Sequence, residues 1–417
     1  MEGCRFLLLD NLPIFNLFNM NQLRKKRIGV FLGIKTSAGG MFQYIESILD
    51  ALTLLQKQNY EIYVAYTYPV WESVLTQYSF KTQKISAGVF GIKLSDFMSM
   101  MRIPGAFSRM ISSIFNPVSF QLSRLKCDLW IFPAQDSIGY QTREVAIVTI
   151  HDLMHLYEPS FPEVSSNGRR LIRDHRFSNL AAYGSAILVD SEIGKGHVME
   201  SYGTSSNKIF SLPYMPPSYI YRNVDMDSFN KRYILPDKYI FYPAQFWEHK
   251  NHKRLIEAAS KIAHEAPDIA LVFTGGQDKA YKDIKKYVKS IHMQDRITFA
   301  GYVSDSDIVG FYKRARAMIM PTFFGPTNIP PLEAFVCGCP VAVSNIYGMP
   351  NQVGDAALLF NPNSVNEISN VMLDLWNDDD LCVELVDKGY KKVAKLNLEN
   401  FSKSLDNIIS TVDSLYV

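Results

Sequence analysis

The sequence predicts an α/β protein, two Rossmann-like, doubly wound parallel-sheet domains facing a central cleft. Three observations predict it. Short apolar runs alternate with segments of helical period along most of the chain, the pattern of βαβ units. The 417 residues exceed what one core serves well, so two domains of about 200 residues are expected. A Pro- and Tyr-rich stretch without period, 212–239, divides the runs into two series.

The first series opens with the strand IGVFLGI (28–34), which SAGG turns into the helix MFQYIESILDALTLLQ (41–56). YEIYVAYTY (60–68) follows, and after a gap come CDLWIFPA, EVAIVTIHD and SAILVDS, ending at Ser191. The second series begins with KYIFYPAQ (238–245) and the helix HKRLIEAASKIAHEA. IALVFTGG, the helix YKDIKKYVKSIHM, RITFAGYV and a helix capped by Ser304 or Asp305 continue it. It closes with AMIMPT, the kinked stretch FFGPTNIPPLEAF, and PVAVSN. The expected units are an extension over 1–26, an N-terminal domain over 27–215, a linker over 216–238 and a C-terminal domain over 239–395. A final helix over 396–417 is expected to pack back on the first domain.

A hydrophobic share of 47% with 20% charged residues places the chain among ordinary globular proteins. A formal charge of +2 argues against a nucleic-acid partner, which needs a concentrated basic surface. The five cysteines are scattered and form no CxxC pair, so neither a disulfide framework nor structural zinc is expected, and a reducing cytoplasm is. FLLLDNLPIFNLFNM (6–20) is interrupted by Asp10, Asn11 and Pro13, and is too short and polar to span a bilayer. RKKR follows it, the reverse of a signal peptide's order. Two readings stand for it: a plain extension ahead of the first strand, or a surface membrane anchor.

Ligands of such sheets sit beyond the carboxyl ends of the strands, which makes the residues there the candidates. Gly39 and Gly40 open a helix whose free N–H groups suit a diphosphate, and they equally suit a tight turn. His151 and Asp152 directly follow a strand, where a histidine can bond a substrate or its own surroundings. His151 and His155, like His249 and His252, have no evident third ligand, and no metal is expected. Lys250 stands in a turn where a cation can neutralise a leaving phosphate, or merely face solvent. Gly275 permits close backbone approach. Glu333 follows Pro331 in the first turn of a helix, where the dipole alone explains an acid; facing a cleft, it can take the two hydroxyls of a ribose. Thr327, Asn328 and Ile329 would then offer amides to a phosphate or sugar.

These residues carry a family resemblance. IPPLEAFVCGCPVAVSNIYGMPNQVGDAALLFNP strongly resembles the donor-binding segment of family 4 retaining glycosyltransferases, which have the GT-B fold. FYPAQFWEHKNHKRLIEA, VTIHDLMHLYEPSF, ILVDSEIGKGHVMESYG and ITFAGYVSDSDIVGFYKRARAMIMPT fall in the family's order, so the resemblance runs over roughly 27–401. It implies that Glu333, as the second glutamate of an E-x7-E motif, binds the donor ribose, and that Lys250 and Gly39–Gly40 hold its diphosphate. It places His151 near the transferred sugar, Asp152 toward the acceptor, and the Asn328 and Ile329 amides on the phosphate and sugar. Two positions depart from the pattern: Gly325 stands where the first glutamate belongs, and Gln245 where an arginine is usual. Thr327 and Asn328 are expected to make the sugar contacts instead.

The resemblance implies a nucleotide-diphosphate sugar as substrate, GDP-mannose favoured, with neither cofactor nor metal. A glycan or lipid-linked oligosaccharide is the implied acceptor, in assembly of a surface polysaccharide such as O-antigen. A catalytically degenerate binding or scaffold subunit is the alternative. From Lys81 to Lys126 seven basic residues face one acid, Asp96, among Phe- and Met-rich segments. That composition suits an anionic membrane surface, and it suits a solvated helical face.

Overall fold

Strands buried on both faces must read as near-continuous apolar runs, and those runs form the centres of two sheets. The computed structural model describes residues 25–35, 39–57, 60–276 and 279–416. Residues 1–24 of the expected extension over 1–26, and with them the membrane-anchor reading, lie outside the described residues, as do Thr36, Ser37 and Ala38 of the first glycine turn; Lys26 already belongs to the first strand.

Among the described residues the first sheet has seven strands: β1 (Lys26–Leu32), β2 (Tyr60–Tyr66), β3 (Lys81–Lys84), β4 (Leu129–Phe132), β5 (Ala146–Thr149), β6 (Ala186–Val189) and β7 (Ile209–Ser211). Their order is β3-β2-β1-β4-β5-β6-β7, every pair parallel. The second sheet has six: β8 (Ile240–Pro243), β9 (Leu271–Thr274), β10 (Ile297–Gly301), β11 (Ala317–Met320), β12 (Val341–Ser344) and β13 (Ala357–Phe360). Their order is β10-β9-β8-β11-β12-β13, again parallel throughout. Each sheet reverses winding once, at β1/β4 and at β8/β11, and those are the crevices where such folds take ligands. The edge strand β3 (KTQK) is wholly exposed and β7 is three residues long. Neither has an apolar run, which is why the sequence pattern did not reveal them.

The helices that matter below are α1 (Gly40–Gln56), α2 (Gly88–Met100), α3 (Gly105–Phe115), α4 (Pro117–Arg124), α5 (Arg169–Tyr183), α6 (Asp305–Arg314), α7 (Pro330–Val336) and α8 (Leu398–Tyr416). α8 buries Phe401, Leu405, Ile409 and Val412, one helical face, in the core of the first sheet. Tyr60 donates to Asp406 at 2.8 Å and Ser402 to the Ala51 carbonyl at 3.1 Å. The helix Leu398–Tyr416 thus packs on the first domain.

At the first crevice, Gly29 of β1 pairs in register with the buried Trp130 of β4. A Cβ on Gly29 would lie 2.4 Å from the indole ring. Gly29→Ala should therefore destabilise the fold by about 1–3 kcal/mol, read as a lower urea midpoint with an unchanged slope. An unshifted midpoint would contradict the packing described.

Candidate active site

The loops after β1, β8, β9 and β11 converge between the sheets. Gly39, Gly40, Gln245, Gly275, Ile329 and Glu333 line one cavity there, of about 360 Å³. Gly275, at φ 144°, lies against the turn after β8; a Cβ on it would meet the Ala244 carbonyl oxygen at 2.3 Å. Only glycine lets these two turns close on each other. Gly40 faces the Ile329 side chain across the cavity mouth. His151, Asp152, Lys250, Thr327 and Asn328 lie outside that lining. A second cavity, about 680 Å³, is bounded by Phe161, Trp247 and Arg254 among others; of the residues weighed in the sequence it holds His252 and none of those assigned to the donor or acceptor.

Glu333 sits in the first turn of α7, buried. Its two oxygens accept from two tyrosines: Oε1 from Tyr219 and Oε2 from Tyr312 of α6, the latter at 2.6 Å. Burial raises its carboxyl group above the ordinary range, while the two hydroxyls act against that rise. Each oxygen keeps a second lone pair for a ligand hydroxyl.

His151 is buried at the end of β5. Its Nε2 lies 3.1 Å from the Pro133 carbonyl, which can only accept, so Nε2 carries the proton. Nδ1 then accepts from the Tyr214 hydroxyl at 3.2 Å. Burial lowers its pKa to about 4, so the ring is neutral at pH 7. Asp152 is penalised by burial, but Arg173 of α5 at 3.2 Å and the Met154 amide at 3.0 Å hold it below the ordinary range. Lys250 is half-buried, and desolvation lowers its ammonium to about 8; Asp152 and Glu163 supply the opposing field. Among the described residues no carboxylate lies within ion-pair distance of it.

The two domains touch directly. Asp190, at the end of β6 and 3% exposed, reaches the loop after β11. Its Oδ2 accepts from the Thr327 amide at 3.0 Å and from the Thr327 hydroxyl at 2.5 Å, and its Oδ1 from Ser191 at 2.9 Å. The Asn328 amide donates to Gln352 at 3.0 Å, and Gln352 returns a bond to the Asn328 carbonyl at 2.7 Å. Of the three amides expected at the phosphate or sugar, those of Thr327 and Asn328 are therefore engaged by protein side chains. Gly325, two residues earlier, has φ 98°, and a Cβ would meet the Thr327 carbonyl oxygen at 2.7 Å. The loop in this shape excludes a glutamate at 325. Beside it, Phe161 packs on Phe323 and Phe324, and Tyr347 donates to Glu158 at 2.5 Å.

Residues 226–392 match the family model described as "Glycosyl transferases group 1". That segment of the chain is similar to the group 1 glycosyltransferases. The O-antigen chain mannosyltransferase B of Escherichia coli is 25% identical over 264 residues, 62% of this chain and 68% of its own length. The serotype-specific mannosyltransferase WbdA of the same species is 24% identical over 280 residues, 64% of this chain but only 33% of its own. Among solved structures, Anabaena Alr3699/HepE in complex with UDP and glucose superposes with a TM-score of 0.71 at 13% identity, covering 93% of this chain and all (100%) of that one. The sucrose-phosphate synthase of Thermosynechococcus elongatus gives a TM-score of 0.71 at 16% identity, over 94% of this chain and 100% of its own. The architecture is the GT-B fold.

The matched glycosyltransferase segment contains Gln245, Lys250, Gly275, Thr327, Asn328, Ile329 and Glu333; Gly39, Gly40, His151 and Asp152 lie in the other domain. Sequence reasoning missed Asp190, Tyr214, Tyr219, Tyr312 and Gln352. Asp190 was within its reach, because it follows a strand as His151 does. Tyr214 and Tyr219 belong to the aperiodic stretch 212–239, and nothing in their spacing marks them.

Burial lifts Asp190 from 3.8 to about 7. The folded state thus holds this proton more tightly than a solvated aspartate, and the contribution, full below about pH 4, is lost as pH rises through about 7. Between about pH 5 and pH 8 the wild-type chain should lose more stability than Asp190→Asn, measured by urea unfolding. Equal slopes in the two proteins would contradict this account of the contact.

Proposed function

We propose that this chain moves a mannosyl group from GDP-mannose to a glycan or lipid-linked oligosaccharide, with retention at the anomeric carbon and without a metal, in assembly of a surface polysaccharide such as O-antigen. One observation carries the reading. A cavity at the carboxyl ends of both sheets has Glu333 fixed in its wall by two tyrosines, and the turn after β8 that lines it through Gln245 leads on to Lys250, a half-buried ammonium with no carboxylate at ion-pair distance among the described residues. The mannosyltransferases among the relatives support the sugar and the pathway.

In this reading the ribose hydroxyls meet Glu333, and the diphosphate lies between the amides of the Gly39–Gly40 turn, the Gln245 turn and Lys250. The acceptor oxygen forms a bond to the anomeric carbon as the bond to the diphosphate oxygen breaks. The electron pair goes to the diphosphate, and the acceptor proton follows it on the same face of the sugar. The protein's part is preorganised positive potential at the departing diphosphate, supplied by Lys250 and backbone N–H groups. His151, neutral and bonded at both nitrogens, braces the wall between Pro133 and Tyr214, and Asp152 faces the acceptor side. The domain contacts at Asp190 and Phe161 exclude water from the reacting centre.

A second reading, a GT-B subunit that binds without turnover, draws on Gln245 and Gly325, and on the engaged Thr327 and Asn328 amides. Lys250→Ala should lower mannosyl transfer from GDP-mannose by about 100- to 1,000-fold. Glu333→Gln, which keeps a tyrosine partner, should weaken GDP binding by about tenfold. Full activity in both variants would sink the site assignment. GDP-mannose binding without transfer by the wild type, across a panel of glycan acceptors, would favour the binding subunit.

A further inference from the structure

Of the three helices between β3 and β4, α2 and α3 turn mostly small residues inward, whereas α4 buries Val118 and Leu122 and leaves Phe120 outside. In α2 the buried positions include Gly88, Gly91, Ser95 and Ser99, and in α3 they are Gly105, Ser108 and Ser112, each set at helical spacing. These small residues close on a hydrogen-bonded interior. Ser99 bonds Ser137 at 3.0 Å, Ser112 donates to Gln141 at 2.8 Å, and Asn116 donates to Ser95 at 2.9 Å. Apart from the buried Met98, most large apolar side chains of α2 and α3 point the other way. Phe90, Phe97, Phe107, Ile114, Phe115 and Phe120 are between 52% and 68% exposed.

An ordinary surface helix turns its apolar stripe inward. Here the stripe has the right period and the wrong direction for a water-facing element, and exposed apolar surface concentrated like this marks an interaction site. The charge around it selects the partner. Lys93, Arg102, Arg124 and Lys126 are exposed on the same helices and their ends, and Arg124 lies over the Phe120 ring at 5.0 Å. The acid of the stretch, Asp96, is paired with Arg176 of α5 at 3.3 Å. Aromatic and aliphatic side chains ringed by unopposed cations fit an anionic lipid surface. No helix among the described residues is long and apolar enough to cross a membrane, so the fit is to the interface.

We infer that α2–α4 form a docking face for an anionic bilayer, seating Phe97, Phe107, Ile114 and Phe115 among the acyl chains with the basic side chains at the headgroups. The face is tied to the cleft. Gly88 at the start of α2 packs on Thr67 just beyond β2, and α5, which pairs with Asp96, also holds Asp152 through Arg173. A docked chain would bring an acceptor carried on a lipid toward the Asp152 side of the cavity. Only that last step rests on the transferase reading; the docking does not.

Flotation of the full chain with vesicles of phosphatidylcholine alone, or with about one-third phosphatidylglycerol, tests it. The wild type should float with the anionic vesicles, and Phe107→Ser/Ile114→Ser/Phe115→Ser should bind them at least about tenfold more weakly. Those side chains are exposed, so the melting curve should be kept, and a matching melt makes the loss one of docking. Arg102→Glu/Arg124→Glu/Lys126→Glu should remove the preference for anionic vesicles. Wild type that stays unbound, or a triple serine variant that floats like wild type, overturns the inference. A wild-type dimer that the serine variant dissolves, without flotation of either, assigns the face to a second copy and overturns it too. GDP binding measured on the same proteins separates this failure from failure of the donor reading.

Discussion

Asp190 spends a buried carboxylate on one residue of the opposite domain, Thr327, and the shape of the cleft follows from that contact. Removing a carboxylate from water is costly unless donors replace the lost solvent. Here an amide and two hydroxyls do so only in part, since burial still lifts the group to about 7, and two of the three come only when the domains are together. The contact positions the loop between β11 and α7, which carries the Asn328 peptide clamped by Gln352 and, through Ile329, faces Gly40. The segment after His151 then closes beside it, with Phe161 against Phe323 and Phe324. Rigid sheets supply the walls, and polar contacts between them set the gap.

The linker takes part in the same construction. Tyr214 and Tyr219, five residues apart, reach to opposite sides: one bonds His151 in the first domain and the other Glu333 in the second. The aromatic excess that marked 212–239 as a junction is thus a means of orienting a side chain in each domain. Glu333 at a helix start would satisfy the dipole wherever it pointed. Its two tyrosine partners are what fix it as part of a cavity wall.

Strand alternation, the position of the crevices and the residues just past the strands were legible because each leaves a local pattern: an apolar run, a Gly-Gly turn, a proline at a helix start. The Asp190–Thr327 pair joins positions 137 apart in the chain and leaves no such pattern. The Gly325 departure read as a lost carboxylate; the structure adds a backbone reason, a positive φ with no room for a Cβ. The bias of residues 81–126 was visible as composition. Which face held the serines was not, because a 3.6-residue period looks the same whichever side is buried.

The central claim is that the cavity between the sheets takes a nucleoside diphosphate. A thermal-shift comparison of GDP, UDP, dTDP and their sugars on the full chain tests it most directly, since a ligand bound only by the folded state raises apparent stability by about 2.7 kcal/mol at a hundred times its Kd. The account predicts an upward shift with GDP and GDP-mannose that grows with concentration. No shift with any of these nucleotides at millimolar concentration would contradict it.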